Sequence, residues 1–104
     1  ALARKLELDV PQALHALMSG AAASFMLGDR GERMLRAYEE EDVEVKSRLD
    51  IFVKDMGIVT DAAKSVGWAV PVAAAAQQEY LIGVAQGMAA KDDSSVIRVV
   101  APQA

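Results

Sequence analysis

The chain has no cysteine, and only 5% of its 104 residues are aromatic. The first absence excludes a disulfide framework and any thiolate metal site, and suits a reducing cytoplasm. The second means that a sequence 53% hydrophobic must build its core from Ala, Val, Leu, Ile and Met. That mixture favours close-packed helices over a sheet, which draws on aromatic and β-branched residues. Basic charge is short as well. Eleven Lys and Arg against fifteen Asp and Glu leave a net charge of -4, whereas phosphate contacts to nucleic acid need a clustered basic surface. No uninterrupted apolar run approaches the roughly 20 residues that span a bilayer. The nearest, Val66 to Met88, is broken by Pro71, Gln77, Gln78, Glu79 and Gln86. The opening Ala-Leu-Ala-Arg-Lys lacks the charged-then-apolar order of a secretory signal, and no repeat period is present. The expectation is one small all-α domain, cytoplasmic, with neither nucleic acid nor membrane as partner.

What is present is organised around Ser47 to Gly67. Ser47 and Asp50 have capping-box spacing, Gly67 is suited to the left-handed stop of a helix, and Lys64 lies in the last turn. Between them Leu49, Phe52, Val53, Met56, Val59, Ala63 and Val66 recur at steps of three and four, one apolar stripe of an amphipathic helix. Asp50 and Lys54 stand four apart, acid before base, the favourable order for a surface pair.

Before this helix, Ala1 to Leu8 reads as the last turns of a helix whose beginning is missing. Asp9 opens a second one, with Pro11 in its first turn, Leu14, Leu17 and Met18 facing inward, and Gly20 as the stop. Ala21 to Leu27 predicts a short apolar helix ended by the turn chemistry of Gly28-Asp29-Arg30-Gly31. That tetrapeptide is no phosphate loop, since the G-x-G-x-x-G order and a preceding strand are both lacking. Glu32 to Ala37 gives further helical turns, and the acidic run within Tyr38 to Lys46 an exposed connection. After Trp68, Pro71 opens an Ala-rich helix expected to reach Ala90 and to be largely buried, with Gly83 and Gly87 allowing close packing. Lys91 to Ser95 is a polar break with capping residues, and Val96 to Val100 a short terminal helix, since no second strand exists to pair with it.

Little in these residues carries chemistry unaided. His15 is the only histidine, and with no ligand or triad partner in view it reads as a surface or rim residue rather than a metal or catalytic one. Arg30, Arg33 and Arg36, three apart, form either a solvated face or an anion gatherer, the solvated face being the ordinary outcome. The candidate is Lys54, followed by Asp55 and Gly57. A glycine there costs about 1 kcal/mol of helix propensity relative to Ala, so another backbone or a ligand is expected to come close. The plainer alternative is a surface Lys54–Asp50 pair.

Asp50-Ile-Phe-Val-Lys54-Asp55-Met-Gly57, then Ala62-Ala63, Gly67, Val70-Pro71, Ala75 and Tyr80, resembles the C-terminal domain of the 3-hydroxyisobutyrate dehydrogenase family. Gly87, Asp92-Asp93-Ser94-Ser95-Val96-Ile97 and Gly20-Ala21-Ala22 with Ser24 and Arg30 extend the likeness over nearly the whole chain. The wording from Ser47 to Asp55 is closest to the L-threonate dehydrogenase-like branch. The resemblance implies a multi-helix bundle, like the C-terminal domains of 6-phosphogluconate and 3-hydroxyisobutyrate dehydrogenases. It closes over NAD or NADP held by an N-terminal Rossmann domain, and a small hydroxy acid is the substrate. It further implies that Lys54, matching the lysine of the family's Lys-Asp motif, binds cofactor and lines the cleft. Asp55 then lies beside it in a positioning role, and Phe52 packs. Homo-oligomers are implied too.

Departures from the family are equally specific. The phosphate loop and the helix with the acid/base lysine and its asparagine are not in this sequence, and Glu7 stands where the family usually has glycine. No catalytic residue is therefore expected in this fragment, no cofactor bound to it, and no turnover by it alone. The competing reading is a non-catalytic helical oligomerisation or interaction module using the Ala/Gly-rich helix as its contact face.

Overall fold

The computed structural model describes residues 1–39 and 43–102. Residues 40–42, the middle of the expected acidic connection, lie outside them. The elements are α1 (Leu2–Lys5), α2 (Val10–Met18), α3 (Phe25–Glu39), α4 (Leu49–Ser65) and α5 (Pro71–Ala85), then a 3-10 turn (Asp93–Val96) and α6 (Ile97–Val100). No strand occurs among the described residues, so the all-α expectation holds, the β-branched run before Ala101 included.

Local chemistry explains most of the boundaries. Asp9 caps α2, its Oδ1 accepting the Gln12 N–H at 3.0 Å, and Pro11 occupies the first turn. Gly67 (φ +68°) closes α4, with the Gly67 N–H donating to the Lys64 carbonyl and the Trp68 N–H to that of Ala63. Gly87 (φ +84°) closes α5 by the same double bond to Val84 and Gly83. The Ala-rich helix therefore stops at Ala85 rather than Ala90, and Gly87 serves the stop and not helix packing. The end of α1 repeats the motif, but with Glu7 at φ +58° in the left-handed position.

Two expected boundaries are overturned. Ala21 to Ala23 are not helical; Ser24 starts α3, its Oγ accepting the Leu27 N–H at 2.9 Å, and the helix runs straight through Gly28-Asp29-Arg30-Gly31. Those glycines make room for α2. A Cβ at Gly28 would meet Met18 Cε at 3.0 Å, and one at Gly31 would meet Leu14 Cδ1 at 2.6 Å. Close packing of α2 on α3 thus outweighs the turn propensity. The Ser47 capping box also fails. Arg48, not Ser47, is the N-cap of α4 and makes no side-chain cap. Instead the Leu49 and Asp50 N–H groups donate to the carbonyls of Lys91 and Ala89, at 2.9 and 3.1 Å.

The helices α4 and α5 form the main hairpin, α2 and α3 a second pair, and the Asp93–Val96 turn touches α3, α4, α5 and α6. Leu49, Met88 and Val96 form the buried apolar centre, flanked by Met34, Tyr80, Val84 and Val99. The interior is small, and Arg33, Asp92, Asp93, Ser94 and Ser95 are buried alongside it. The radius of gyration is 14.8 Å, against about 13 Å for a compact domain of this length. Much apolar surface is uncovered. Within α5 only Gly83 is buried, so the expectation of a largely buried helix is not met by this chain. Val66, Trp68 and Val72 at the α4–α5 turn, Val59 in the predicted stripe, and Leu17 in α2 are all exposed. No helix among the described residues is long and apolar enough to cross a membrane.

Candidate functional site

The start of α4 is held by a buried charge cluster that sequence reasoning missed. Arg30 and Arg33, one turn apart on α3, face Asp92 and Asp93, the cap and first residue of the 3-10 turn. Arg33 donates from Nε and Nη2 to the Asp92 carboxylate at 2.8–3.1 Å, from Nη2 to Asp93 Oδ1 at 2.8 Å, and from Nη1 to Asp29 Oδ2 at 3.0 Å. Arg30 donates to Asp93 Oδ2 at 2.9 and 3.1 Å. The Lys46 N–H reaches Asp92 Oδ1 at 2.9 Å, and the Ser94 N–H and hydroxyl reach Oδ2. Burial alone would push the Asp92 carboxyl up. The Ser94 hydroxyl, the Lys46 N–H, the Arg33 guanidinium and the Ser94 N–H outweigh it and hold the group at about 2. Of the two sequence readings of the three arginines, the solvated face fails for Arg30 and Arg33, and anion gathering holds for those two. The anions they gather belong to the chain itself; only Arg36 is exposed. The available signal was complementarity: an Arg-x-x-Arg pair on a helix, with Asp29 its one local acid, and an Asp-Asp pair in a polar break.

This cluster fixes the root of α4, and α4 carries the predicted residues. Lys54 and Asp55 are brought together, Nζ to Oδ1 at 3.1 Å, with 66% and 47% of their side chains exposed. The expected Asp50–Lys54 pair does not form, because Arg48 claims the Asp50 carboxylate at 2.7 Å. Hydrogen bonding by Arg48 accordingly lowers the Asp50 carboxyl below its usual range. Ile51 and Ile58, three before and four after Lys54, are exposed as well, so one stripe of α4 presents an ammonium between two apolar side chains. On another side of α4, Phe52 stacks on Tyr80 with ring centroids 5.1 Å apart and planes at 16°, which is the packing role expected of it. Burial and the Asp93 charge raise the Tyr80 phenol above its ordinary value.

Gly57 does admit a close neighbour, but it is a side chain of α5 rather than the backbone or ligand expected. A Cβ there would lie 3.3 Å from Gln77 Nε2, and that amide donates to the Val53 carbonyl at 3.1 Å. His15 is exposed. No group of side chains among the described residues could hold a metal ion. An open groove of about 500 Å3 between α1 and the end of α6 contains none of the predicted site residues.

Residues 1–100 match the sequence family described as NAD-binding of NADP-dependent 3-hydroxyisobutyrate dehydrogenase. An L-threonate dehydrogenase of Pectobacterium atrosepticum is 33% identical over 99 residues, which are 95% of this chain and 31% of that protein. One from Cupriavidus necator is 34% identical over 90 residues, 86% of this chain and 29% of that protein. The probable 3-hydroxyisobutyrate dehydrogenase-like 1, mitochondrial, of Arabidopsis thaliana is 38% identical over 85 residues, 82% and 24% respectively. The chain spans about a third or less of the length of these curated relatives.

Proposed function

The chain belongs to the 3-hydroxyisobutyrate dehydrogenase family, and from that premise we propose that it is the helical C-terminal domain of an NAD(P)-dependent dehydrogenase. The substrate is a small 3-hydroxy acid of the L-threonate, 3-hydroxyisobutyrate or tartronate semialdehyde type, and the dinucleotide is held by a separate Rossmann domain. One observation carries the reading. The Lys54 ammonium stands on an exposed stripe between Ile51 and Ile58, its only ion-pair partner among the described residues the neighbouring Asp55. A cation with two thirds of its side chain exposed is placed to meet a surface outside its own domain.

The donor set fits that task. A lysine is a compact point charge on a flexible stem, able to donate to ribose hydroxyls or to a substrate carboxylate. Asp55 restrains it, and Ile51 and Ile58 supply apolar walls that exclude water where a second surface closes on them. Bound nicotinamide supplies the hydride acceptor; this domain binds, orients and shields, and the acid/base groups lie elsewhere in the protein. The exposed apolar residues of α5 and the α4–α5 turn offer contact area for a homo-oligomer as well. A cytoplasmic setting is part of the proposal and rests on the lack of cysteine.

Lys54→Ala in the full-length enzyme tests the reading. With NAD(P) and L-threonate as probe, kcat/KM should fall at least about tenfold, or about 1.4 kcal/mol of transition-state binding. Unchanged kinetics with an intact fold would overturn it. The isolated chain, given the same reagents, should produce no reduced nicotinamide.

A further inference from the structure

We propose that Gln77, seated against Gly57, is a positioning residue that sets the rotation of α4 and with it the direction in which Lys54 projects. The inference rests on the functional reading of Lys54 given above.

Gln77 lies on α5, yet its Nε2 donates to the backbone carbonyl of Val53, the residue immediately before Lys54, at 3.1 Å. In a helix that carbonyl already accepts the N–H four residues on, which is that of Gly57. The Gln77 amide therefore takes the second lone pair of a backbone bond that spans Lys54. Access to that lone pair depends on Gly57. Any larger residue would place a Cβ 3.3 Å from Nε2, tighter than a relaxed contact, so the amide or the helix would have to yield. This accounts for a glycine mid-helix at a cost in propensity, and for a polar side chain in the middle of an Ala-rich helix.

The consequence for Lys54 is geometric. A helix packed by apolar side chains alone can roll by several degrees at little expense. A hydrogen bond to one carbonyl at the height of Lys54 opposes that roll. With side chains reaching roughly 6 Å from the helix axis, a roll of about 10° moves them by about 1 Å. A displacement of that size, away from the chemistry, can cost an enzyme up to about 100-fold. The anchorage at the far end, through the Leu49 and Asp50 N–H groups, fixes where α4 begins; Gln77 fixes how it is turned.

The test is a double-mutant cycle in the full-length enzyme with NAD(P) and L-threonate. Gln77→Met keeps the length and bulk of the side chain and removes the donor. It should lower kcat/KM about fivefold to tenfold while the melting temperature changes little. In a Lys54→Ala background the same substitution should have no further effect on kcat/KM, because Gln77 acts through the lysine. Equal losses in both backgrounds would mean a general structural role and overturn the proposal, as would full activity of Gln77→Met. Gly57→Ala is the second probe. It should cost activity when Gln77 is present, and raise the melting temperature when paired with Gln77→Ala, where the added methyl meets no amide. Should Gly57→Ala stabilise the protein in both backgrounds, the contact between the two residues is not restrictive and the proposal falls. Should Lys54→Ala alone leave kinetics unaltered, the functional reading fails and this inference with it. A strong Lys54→Ala effect with a silent Gln77→Met refutes the positioning role only.

Discussion

Asp92 offers the sharpest quantitative test of the cluster that roots α4. Its carboxylate is 1% exposed and accepts bonds from Arg33, Lys46 and Ser94. Folding takes its pKa from 3.8 down to about 2. The folded state thus holds its proton less tightly than the unfolded state, and the charged form favours folding. That contribution is complete at pH values above about 4 and disappears as pH falls through about 2. At about 1.4 kcal/mol per pH unit, the gap between the two values is worth about 2 kcal/mol. Asp92→Asn should cost more at neutral pH, about 3–5 kcal/mol, because Arg33 is left buried without its main partner. Urea unfolding followed by circular dichroism, run on both proteins from pH 7 to pH 2, separates the terms. The stability difference between them should be constant down to pH 4 and then shrink by about 2 kcal/mol. A loss under about 1 kcal/mol at pH 7, or a difference that does not change with acid, would refute the assignment of Asp92 as an ionised structural anchor.

Two substitutions test backbone and packing. Glu7→Gly removes the strain of a side chain at φ +58°, worth about 1–2 kcal/mol, less the entropy that glycine adds to the unfolded chain. The net gain should be about 0.5–1 kcal/mol, read as a rise of about 4 °C in melting temperature, and a fall would show that Glu7 is held there by something else. Gly83→Ala places a methyl 3.1 and 3.2 Å from the two Cδ atoms of Leu49, which is fully buried and has nowhere to go. Overpacking of about 1–3 kcal/mol should outweigh the gain of about 1 kcal/mol in helix propensity, so calorimetry should show a lower melting temperature.

Much of the fold was legible because its signals are local. Asp9, Pro11, Gly67 and Pro71 act within a turn of themselves, and each marks the boundary that its chemistry predicts. Glu7 was legible in another way. The family's usual glycine suits a left-handed residue, and Glu7 adopts that conformation regardless. What failed in the reading was long-range. Gly28 and Gly31 look like a turn until Met18 and Leu14 are seen to fill the space beside them. Ser47 and Asp50 look like a cap until Lys91 and Ala89 offer their carbonyls and Arg48 takes the acid. Asp92 and Asp93 look like a solvated break because the arginines that bury them stand some sixty positions earlier. For the candidate site, Lys54, Asp55 and Gly57 were readable as a motif. Gln77 was not, since nothing near it in the chain points to Val53.

The way α4 begins has a consequence for how the molecule assembles. Its first amides are satisfied by the peptide oxygens of Lys91 and Ala89, not by any group nearby in the chain. A nascent polypeptide released from the ribosome only as far as Gly87 lacks those oxygens, so the first turn of α4 frays. Completion of that turn must wait for Ala89 and Lys91 to emerge and dock. Proteolytic separation of Ala89 and Lys91 from what precedes them would accordingly loosen a helix that starts some forty residues upstream of the cut.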